Sequence, residues 1–432
     1  MKVAFSTLGC RVNKYESDAM TEKFLLEGYE VVDYSEFADV YVINTCSVTN
    51  MGDKKSRQLI SKARRQNPDS IIAAVGCYSQ IAPTEVAAIE GVDVVLGTRN
   101  KGDIIYYVNK AKDEGKQQVK VGAVLRNKVF EEFNVKEYQG KIRAFLKIQD
   151  GCNRFCTYCI IPYTRGSLAS KDPRRVIQEV TKLAEDGFKE VVISGIHTAS
   201  YGHDLEKKVG LVDILEQIEE IDGMERVRIG SIEPGFCSPE NIDRMIKLKK
   251  LCPNFHLSLQ SGCTSTLKRM NRRYTADEYE ETVKLLREKF PNVSITTDVI
   301  VGFPGETEEE FKETYEFLKR IKLAKMHIFK YSPRKGTKAA TMENQIDGNI
   351  KEERSKLLIE LNAQNEAEFA KENIGKELEV LFETKNDGNV FTGYAENYLK
   401  VEARAYENII NEIHKVKIIG SEGEVAIGEI IE

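Results

Sequence analysis

No stretch of this chain approaches the roughly 20 apolar residues needed to cross a bilayer. The first twenty residues, opening Met1-Lys2-Val3-Ala4-Phe5, have neither an extended apolar region nor a small-residue cleavage pattern. Neither a secretion signal nor a membrane partner is therefore expected. Charge of one sign is also missing. The chain has 63 Lys and Arg against 68 Asp and Glu, a formal net charge of −5, which does not announce a nucleic-acid binder. There is no internal repeat and no low-complexity tract. Cysteine is limited to nine positions. An odd count in a long chain without an export signal argues against a disulfide scaffold and for a reducing cytoplasm with metal ligation.

What is present is a globular composition, 41% hydrophobic and 30% charged, in a chain of 432 residues that is too long for one ordinary core. Three of the cysteines, Cys152, Cys156 and Cys159, lie in Gly-Cys-Asn-Arg-Phe-Cys-Thr-Tyr-Cys-Ile-Ile-Pro. A zinc site would call for four ligands in two pairs. Three thiolates on one tight polar loop suit a cubane iron–sulfur cluster with one iron open to a substrate or cofactor. The alternatives are three buried structural thiols, or a zinc knuckle borrowing a ligand from elsewhere.

The pattern of short apolar runs divides the chain into three. Over residues 1–113, strands at Val3–Leu8, Val40–Thr45 and Ile71–Gly76 alternate with helical segments, which predicts a parallel α/β domain. Each strand is followed by a cysteine: Cys10, Cys46 and Cys77. Sites in open parallel sheets gather at the carboxyl ends of strands. These three thiols are therefore either inert buried residues or a second open-iron site. Residues 114–141 are polar and read as a linker. Over 138–368, six βα units predict a barrel or partial barrel, with the Cys152 loop after its first strand, where barrel sites lie. A charged helix near Lys351–Glu372 follows, and 371–432 turns to strands that read as a small antiparallel barrel.

Thr7-Leu8-Gly9-Cys10-Arg11-Val12-Asn13, Asn44-Thr45-Cys46-Ser47 and Val75-Gly76-Cys77-Tyr78 resemble the corresponding segments of the methylthiotransferase family, and the Cys152–Cys159 loop resembles that of the radical S-adenosylmethionine (SAM) superfamily. The terminal barrel resembles a TRAM domain. The likeness spans essentially the whole chain. It implies two 4Fe–4S clusters, one auxiliary at Cys10, Cys46 and Cys77, the other at Cys152, Cys156 and Cys159 and cleaving SAM. It also implies a methylthio group placed on an aromatic C–H, with an electron donor and a sulfur donor as partners. Three substrate branches exist: isopentenyladenosine in tRNA, threonylcarbamoyladenosine in tRNA, and an aspartate of a ribosomal protein. The segments at 7–13, 195–202 and 326–337 look most like the threonylcarbamoyladenosine branch. A reading from another class is an iron–sulfur RNA-binding or electron-transfer protein.

Other candidates come from strand ends. Gly195 offers close backbone approach to SAM, Ser231 and Glu233 offer groups for its ribose hydroxyls, and Val301 with the following glycines offers an apolar bed for adenine. Each is also readable as an ordinary βα turn. Cys237, Cys252 and Cys263 belong to neither triad and read as structural thiols. His197, His203 and His327 lack metal-ligand spacing. Basic runs at Lys54–Arg65, Lys268–Arg273 and Lys330–Lys338 read as solvated faces that together could follow a phosphate backbone. The acidic terminal barrel, bearing no cluster ligand, reads as a docking module, so cutting near Gln364 is expected to spare both thiol sites.

Overall fold

A computed structural model describes residues 1–125, 128–133 and 142–431. Lys2–Thr7, Val40–Thr45 and Ile71–Gly76 form adjacent parallel strands. Alternate residues of these strands feed two separate apolar clusters: Val40, Val42 and Val75 on one face, Tyr41, Ile43 and Ala74 on the other. That is why the strands read as continuous apolar runs. Three short strands not legible in the sequence complete a six-stranded parallel sheet. Its spatial order is Glu30–Val32, Lys2–Thr7, Val40–Thr45, Ile71–Gly76, Val94–Leu96 and Gln118–Lys120. The last of these comes from the segment read as a linker, so part of that segment is the edge of this sheet; its residues 126, 127 and 134–141 lie outside the described residues.

The middle of the chain supplies six parallel strands in sequence order: Arg143–Lys147, Glu190–Ser194, Arg226–Ile229, Asn254–His256, Ser294–Val301 and Lys325–Lys330. They pair as two three-stranded sheets joined by isolated bridges at Val227–Leu251 and Ile232–Leu257. Among the described residues nothing pairs the last strand with the first, so the barrel is open on that side. The intervening helices have clear starts. Thr275 and Thr307 make reciprocal capping boxes with Glu278 and Glu310, and Asp172 caps a helix whose first residue is Pro173.

The helix Gly348–Glu372 leads into a closed barrel of Glu377–Lys385, Val390–Ala395, Lys400–Arg404, Val425–Ile430 and Ile413–Glu422, in that spatial order. The sequence suggested an antiparallel barrel, and four of the five strand pairings are antiparallel. Lys400–Arg404 and Val425–Ile430 instead run parallel. Five strands cannot alternate in direction around a closed ring, so one parallel pair is forced.

The small barrel is seated on the amino-terminal ends of the large one. Arg228 is fully buried, holds both carboxylate oxygens of Glu190 at 2.7 and 3.1 Å, and donates to the carbonyls of Ala395 and Glu396 at 2.8 and 2.7 Å. Tyr398 stacks on Tyr394, and the guanidiniums of Arg143 and Arg228 lie 5.1 and 4.7 Å from the Tyr398 ring centre.

Candidate active site

The amino-terminal thiols meet because their strands are neighbours. Cys10 is the N-cap of the helix Arg11–Leu26, Cys46 follows Val40–Thr45, and Cys77 opens the short helix Cys77–Ile81. Gly9 has φ +103°, and a Cβ there would stand 3.0 Å from both Cβ and Sγ of Cys46. Only glycine lets the Cys10 loop close so tightly on Cys46. Gly76 has φ +100°, and a Cβ there would meet Asn44 Oδ1 at 2.6 Å. The loops are bound to one another: Asn13 donates to the carbonyls of Leu8 and Thr45 at 2.7 and 3.1 Å, and Asn44 donates to the carbonyl of Asn13 at 2.9 Å.

Burial, aided by the neighbouring Cys77 and Cys10, pushes the Cys46 thiol up to about 11. Burial also raises Cys77, but the charges of Arg165 and Lys101 oppose it. Thiols crowded this way favour a cation that takes up their negative charge. Among the described residues, only His256, Asp298 and His327 bring three metal-capable atoms within 4.8 Å of one another. Neither cysteine triad is thus collapsed to the spacing a single tetrahedral ion needs, with Zn–S bonds of about 2.3 Å.

The second triad lies on the loop after Gln149–Asp150. The loop is pinned by Cys152 N–H to the Gly166 carbonyl and Thr157 N–H to the Met270 carbonyl, each at 3.0 Å. Two sulfurs already receive donors: Arg154 N–H to Cys152 Sγ at 3.4 Å, and Arg272 Nη1 to Cys156 Sγ at 3.3 Å. Such donors are what cluster sulfurs receive in iron–sulfur proteins. Burial pushes Cys152 to about 11 and Cys159 to about 12, with the neighbouring thiols adding to it.

Glu233, expected to face a ribose, is engaged by protein cations. Its carboxylate lies 2.7 Å from Arg154 Nη2, 3.1 Å from His197 Nε2 and 3.3 Å from Arg272 Nη2. Burial would raise this carboxyl, but the His197 hydrogen bond and the charges of Arg272, His197 and Arg154 bring it down to about 2. Glu233 therefore positions Arg272, whose guanidinium donates to Cys156, and holds the side chain of Arg154, whose backbone N–H faces Cys152. Arg154 was missed because a lone arginine carries no local signal, and Arg272 was read only as part of a basic face.

The cavities divide these residues. Cys10, Arg11, Ser194, Gly195 and Ser231 line one of about 600 Å³, which runs past His256, Asp298 and His327 to Tyr398 and Lys400 on the small barrel. Cys152 lines a second, of about 700 Å³, with Arg154, His197 and His203. Cys156 and Cys159 line a third, of about 510 Å³. Val301 lines none of these and packs in the barrel core. Gly195 is small for a local reason, since a Cβ there would press on Gln149 and Thr198 at 2.9 and 3.0 Å. Cys237, Cys252 and Cys263 are buried apart from both triads.

The basic runs are divided between paired and exposed residues, with Lys54, Lys55, Lys62, Arg65, Lys268, Arg273, Lys335 and Lys338 on the surface. Arg64 pairs with Asp93, Arg269 with Glu310, and Lys330 with Glu352. Arg334 holds Asp53 Oδ2 at 2.7 Å and Asn50 Oδ1 at 2.6 Å, tying the last barrel strand to the helix after Cys46.

Family comparison agrees with this division. Residues 146–318 match the model described as the Radical SAM superfamily, and residues 2–97 match the Uncharacterized protein family UPF0004. The chain is 44% identical to the threonylcarbamoyladenosine tRNA methylthiotransferase MtaB of Bacillus subtilis, over 96% of this chain and 93% of that one. It is 44% identical to the MtaB of Aquifex aeolicus, over 95% and 98% of the two chains. A tRNA-2-methylthio-N(6)-dimethylallyladenosine synthase of Clostridium botulinum is 36% identical, over 98% and 96%. Among solved structures, the radical SAM methyltransferase TsrM of Kitasatospora setae shares the fold, with a TM-score of 0.57 at 15% identity over 77% of this chain and 76% of that one.

Proposed function

The chain belongs to the methylthiotransferase family of radical SAM enzymes, and from that premise we propose that it converts N6-threonylcarbamoyladenosine beside the tRNA anticodon, at position 37, to its 2-methylthio derivative. The observation that carries this reading is the pairing of two open thiol triads in a chain 44% identical, almost end to end, to relatives bearing that name. Cys152, Cys156 and Cys159 would hold the 4Fe–4S cluster that binds SAM, and Cys10, Cys46 and Cys77 an auxiliary cluster. When bound, these groups supply a carbon-centred radical able to remove the adenosine C2 hydrogen and a sulfur to replace it.

The protein's own part is placement and charge. The Arg272 guanidinium, held by Glu233, donates to Cys156 Sγ, and the backbone N–H of Arg154 donates to Cys152 Sγ. Gly195 and Ser231 are the strand-end contacts assigned to SAM and share the Cys10 cavity. That cavity, of about 600 Å³, is of the size that takes a small molecule or an extruded nucleoside. The units of the reading are 1–113 for the auxiliary site, 138–368 for the radical SAM barrel and 371–432 for a TRAM-like RNA contact. An electron donor and a sulfur donor complete the reaction, and a tRNA substrate places it in the cytoplasm.

The test is anaerobic reconstitution with iron and sulfide, followed by incubation with SAM, a reductant and anticodon stem–loop RNA. Mass gain of one methylthio group on the threonylcarbamoyladenosine RNA supports the reading. Gain only on the isopentenyladenosine RNA moves the chain to the neighbouring branch.

A further inference from the structure

The three family substrates differ most in the group that must be told apart. An isopentenyl substituent is apolar and uncharged, whereas a threonylcarbamoyl substituent ends in a carboxylate. The cavity beside Cys10 contains cations whose partners can be counted. Lys325 is held between Glu366 and Glu424. Lys400 lies at the far end, near Glu424. Arg11 follows Cys10 directly and lines the cavity. It forms no ion pair among the described residues, and its guanidinium lies 5.7 Å from the ring centre of Phe145 on the first barrel strand. His327, on the last barrel strand, is exposed to the same cavity.

Arg11 and His327 line this one cavity. Burial lowers the His327 pKa, and Asp298, His256, Lys325 and Arg11 are the charges around it. Asp298, the carboxylate that would repel an incoming anion, is its cross-strand neighbour. Its Oδ2 lies 3.3 Å from His256 Nε2, without the geometry of a hydrogen bond. His256 is fixed in turn, with Nδ1 2.9 Å from Thr296 Oγ1. Arg11 therefore remains available to an incoming anion. A planar guanidinium over an aromatic ring suits two-point recognition of a carboxylate.

We propose that Arg11, assisted by His327, recognises the carboxylate of the threonylcarbamoyl substituent and so sets which modified adenosine enters the cavity beside Cys10. This rests on the substrate assigned above. It adds the residues that distinguish that substrate from the uncharged one.

The test measures binding of the reconstituted full-length protein to three anticodon stem–loop RNAs: threonylcarbamoyladenosine, its methyl ester, and isopentenyladenosine. The native protein is expected to prefer the acid over the ester by roughly tenfold, the scale of one charge-assisted contact. Arg11→Gln should erase that preference, Arg11→Lys should keep part of it, and His327→Gln should narrow it, with iron content measured in each. If Arg11→Gln loses iron, His327→Gln decides, because its position is remote in sequence from every cysteine. The proposal is overturned if the native protein does not distinguish acid from ester. Equally, it is overturned if iron-replete Arg11→Gln, or His327→Gln where that variant decides, keeps the full preference. A native protein that modifies only the isopentenyladenosine RNA overturns the substrate assignment itself, a result separable from both.

Discussion

Arg165 grips both carboxylate oxygens of Glu16, at 2.8 and 3.1 Å, across 149 positions of sequence, with both side chains fully buried. Glu16 lies on the helix that begins after Cys10, and Arg165 closes the short helix after Cys159. One ion pair therefore sets the two thiol sites relative to each other. Asp150, two residues before Cys152, accepts from Arg165 at 3.2 Å and from Lys147 at 3.2 Å, while Lys101 completes the group on Glu16. Three cations thus face Glu16 and Asp150, with Glu131 also close to Lys147 and Lys101, and the charges of Arg165 and Lys101 are sensed at Cys77. An anionic cluster at that site gains from them.

Glu16→Gln is expected to destabilise the fold by about 3–5 kcal/mol, because it strands buried cations. The chain has no tryptophan, so urea unfolding should be followed by circular dichroism. Burial alone would raise the Glu16 carboxyl, but Arg165, Lys101 and Lys147 outweigh it and hold it well below its usual value of 4.5. A carboxyl lowered on folding contributes stability that is complete above its unfolded pKa and lost as pH falls through the folded one. The gap between the native protein and Glu16→Gln should therefore be constant above about pH 5 and shrink only in stronger acid. A gap that widens on acidification would contradict this.

Arg272→Ala removes the donor to Cys156. Donors to cluster sulfurs stabilise the reduced, more negative state. The reduction potential of the SAM-cleaving cluster should fall, and a redox titration followed by electron paramagnetic resonance reads the shift. An unchanged potential would mean that the 3.3 Å contact is not kept once iron is bound.

The thiols divide into three groups with different outcomes. Reconstituted protein should hold about eight irons per chain. Alanine at Cys10, Cys46 or Cys77 should halve that number and leave reductive SAM cleavage, whereas alanine at Cys152, Cys156 or Cys159 should halve it and abolish cleavage. Serine at Cys237, Cys252 and Cys263 together should leave iron intact and cost roughly 1–3 kcal/mol for each buried site.

Removal of the terminal barrel is not the clean deletion that its lack of cluster ligands suggests. It would strip buried Arg228 of the Ala395 and Glu396 carbonyls and Arg143 of Glu383. Truncation near Gln364 should lower the stability of the large barrel as well as RNA affinity. Arg228→Ala, which leaves Glu190 buried without its main partner, should cost about 3–5 kcal/mol by itself. Equal thermal midpoints for intact and truncated protein would contradict this.

Local pattern made much of the architecture legible. Apolar runs gave the main parallel strands, and because each amino-terminal cysteine follows its own run, the sequence placed Cys10, Cys46 and Cys77 at neighbouring strand ends. Glu30–Val32 and Gln118–Lys120 were hidden because three-residue edge strands carry almost no periodic signal. The Glu16–Arg165 pair, the Glu233 network and the seating of Arg228 were illegible for another reason. Each joins residues that are distant in the chain, and a buried charge looks like an exposed one until its partner is known. Val301 ends its strand, as the sequence suggested, and is buried in the barrel core.

The most direct test compares nucleosides from tRNA of cells with this chain, without it, and with a Cys77→Ala copy, by mass spectrometry. The account predicts 2-methylthio-threonylcarbamoyladenosine in the first only, with unmethylthiolated threonylcarbamoyladenosine accumulating in the other two. The same level of the methylthio nucleoside in all three, or its persistence with Cys77→Ala, would contradict it.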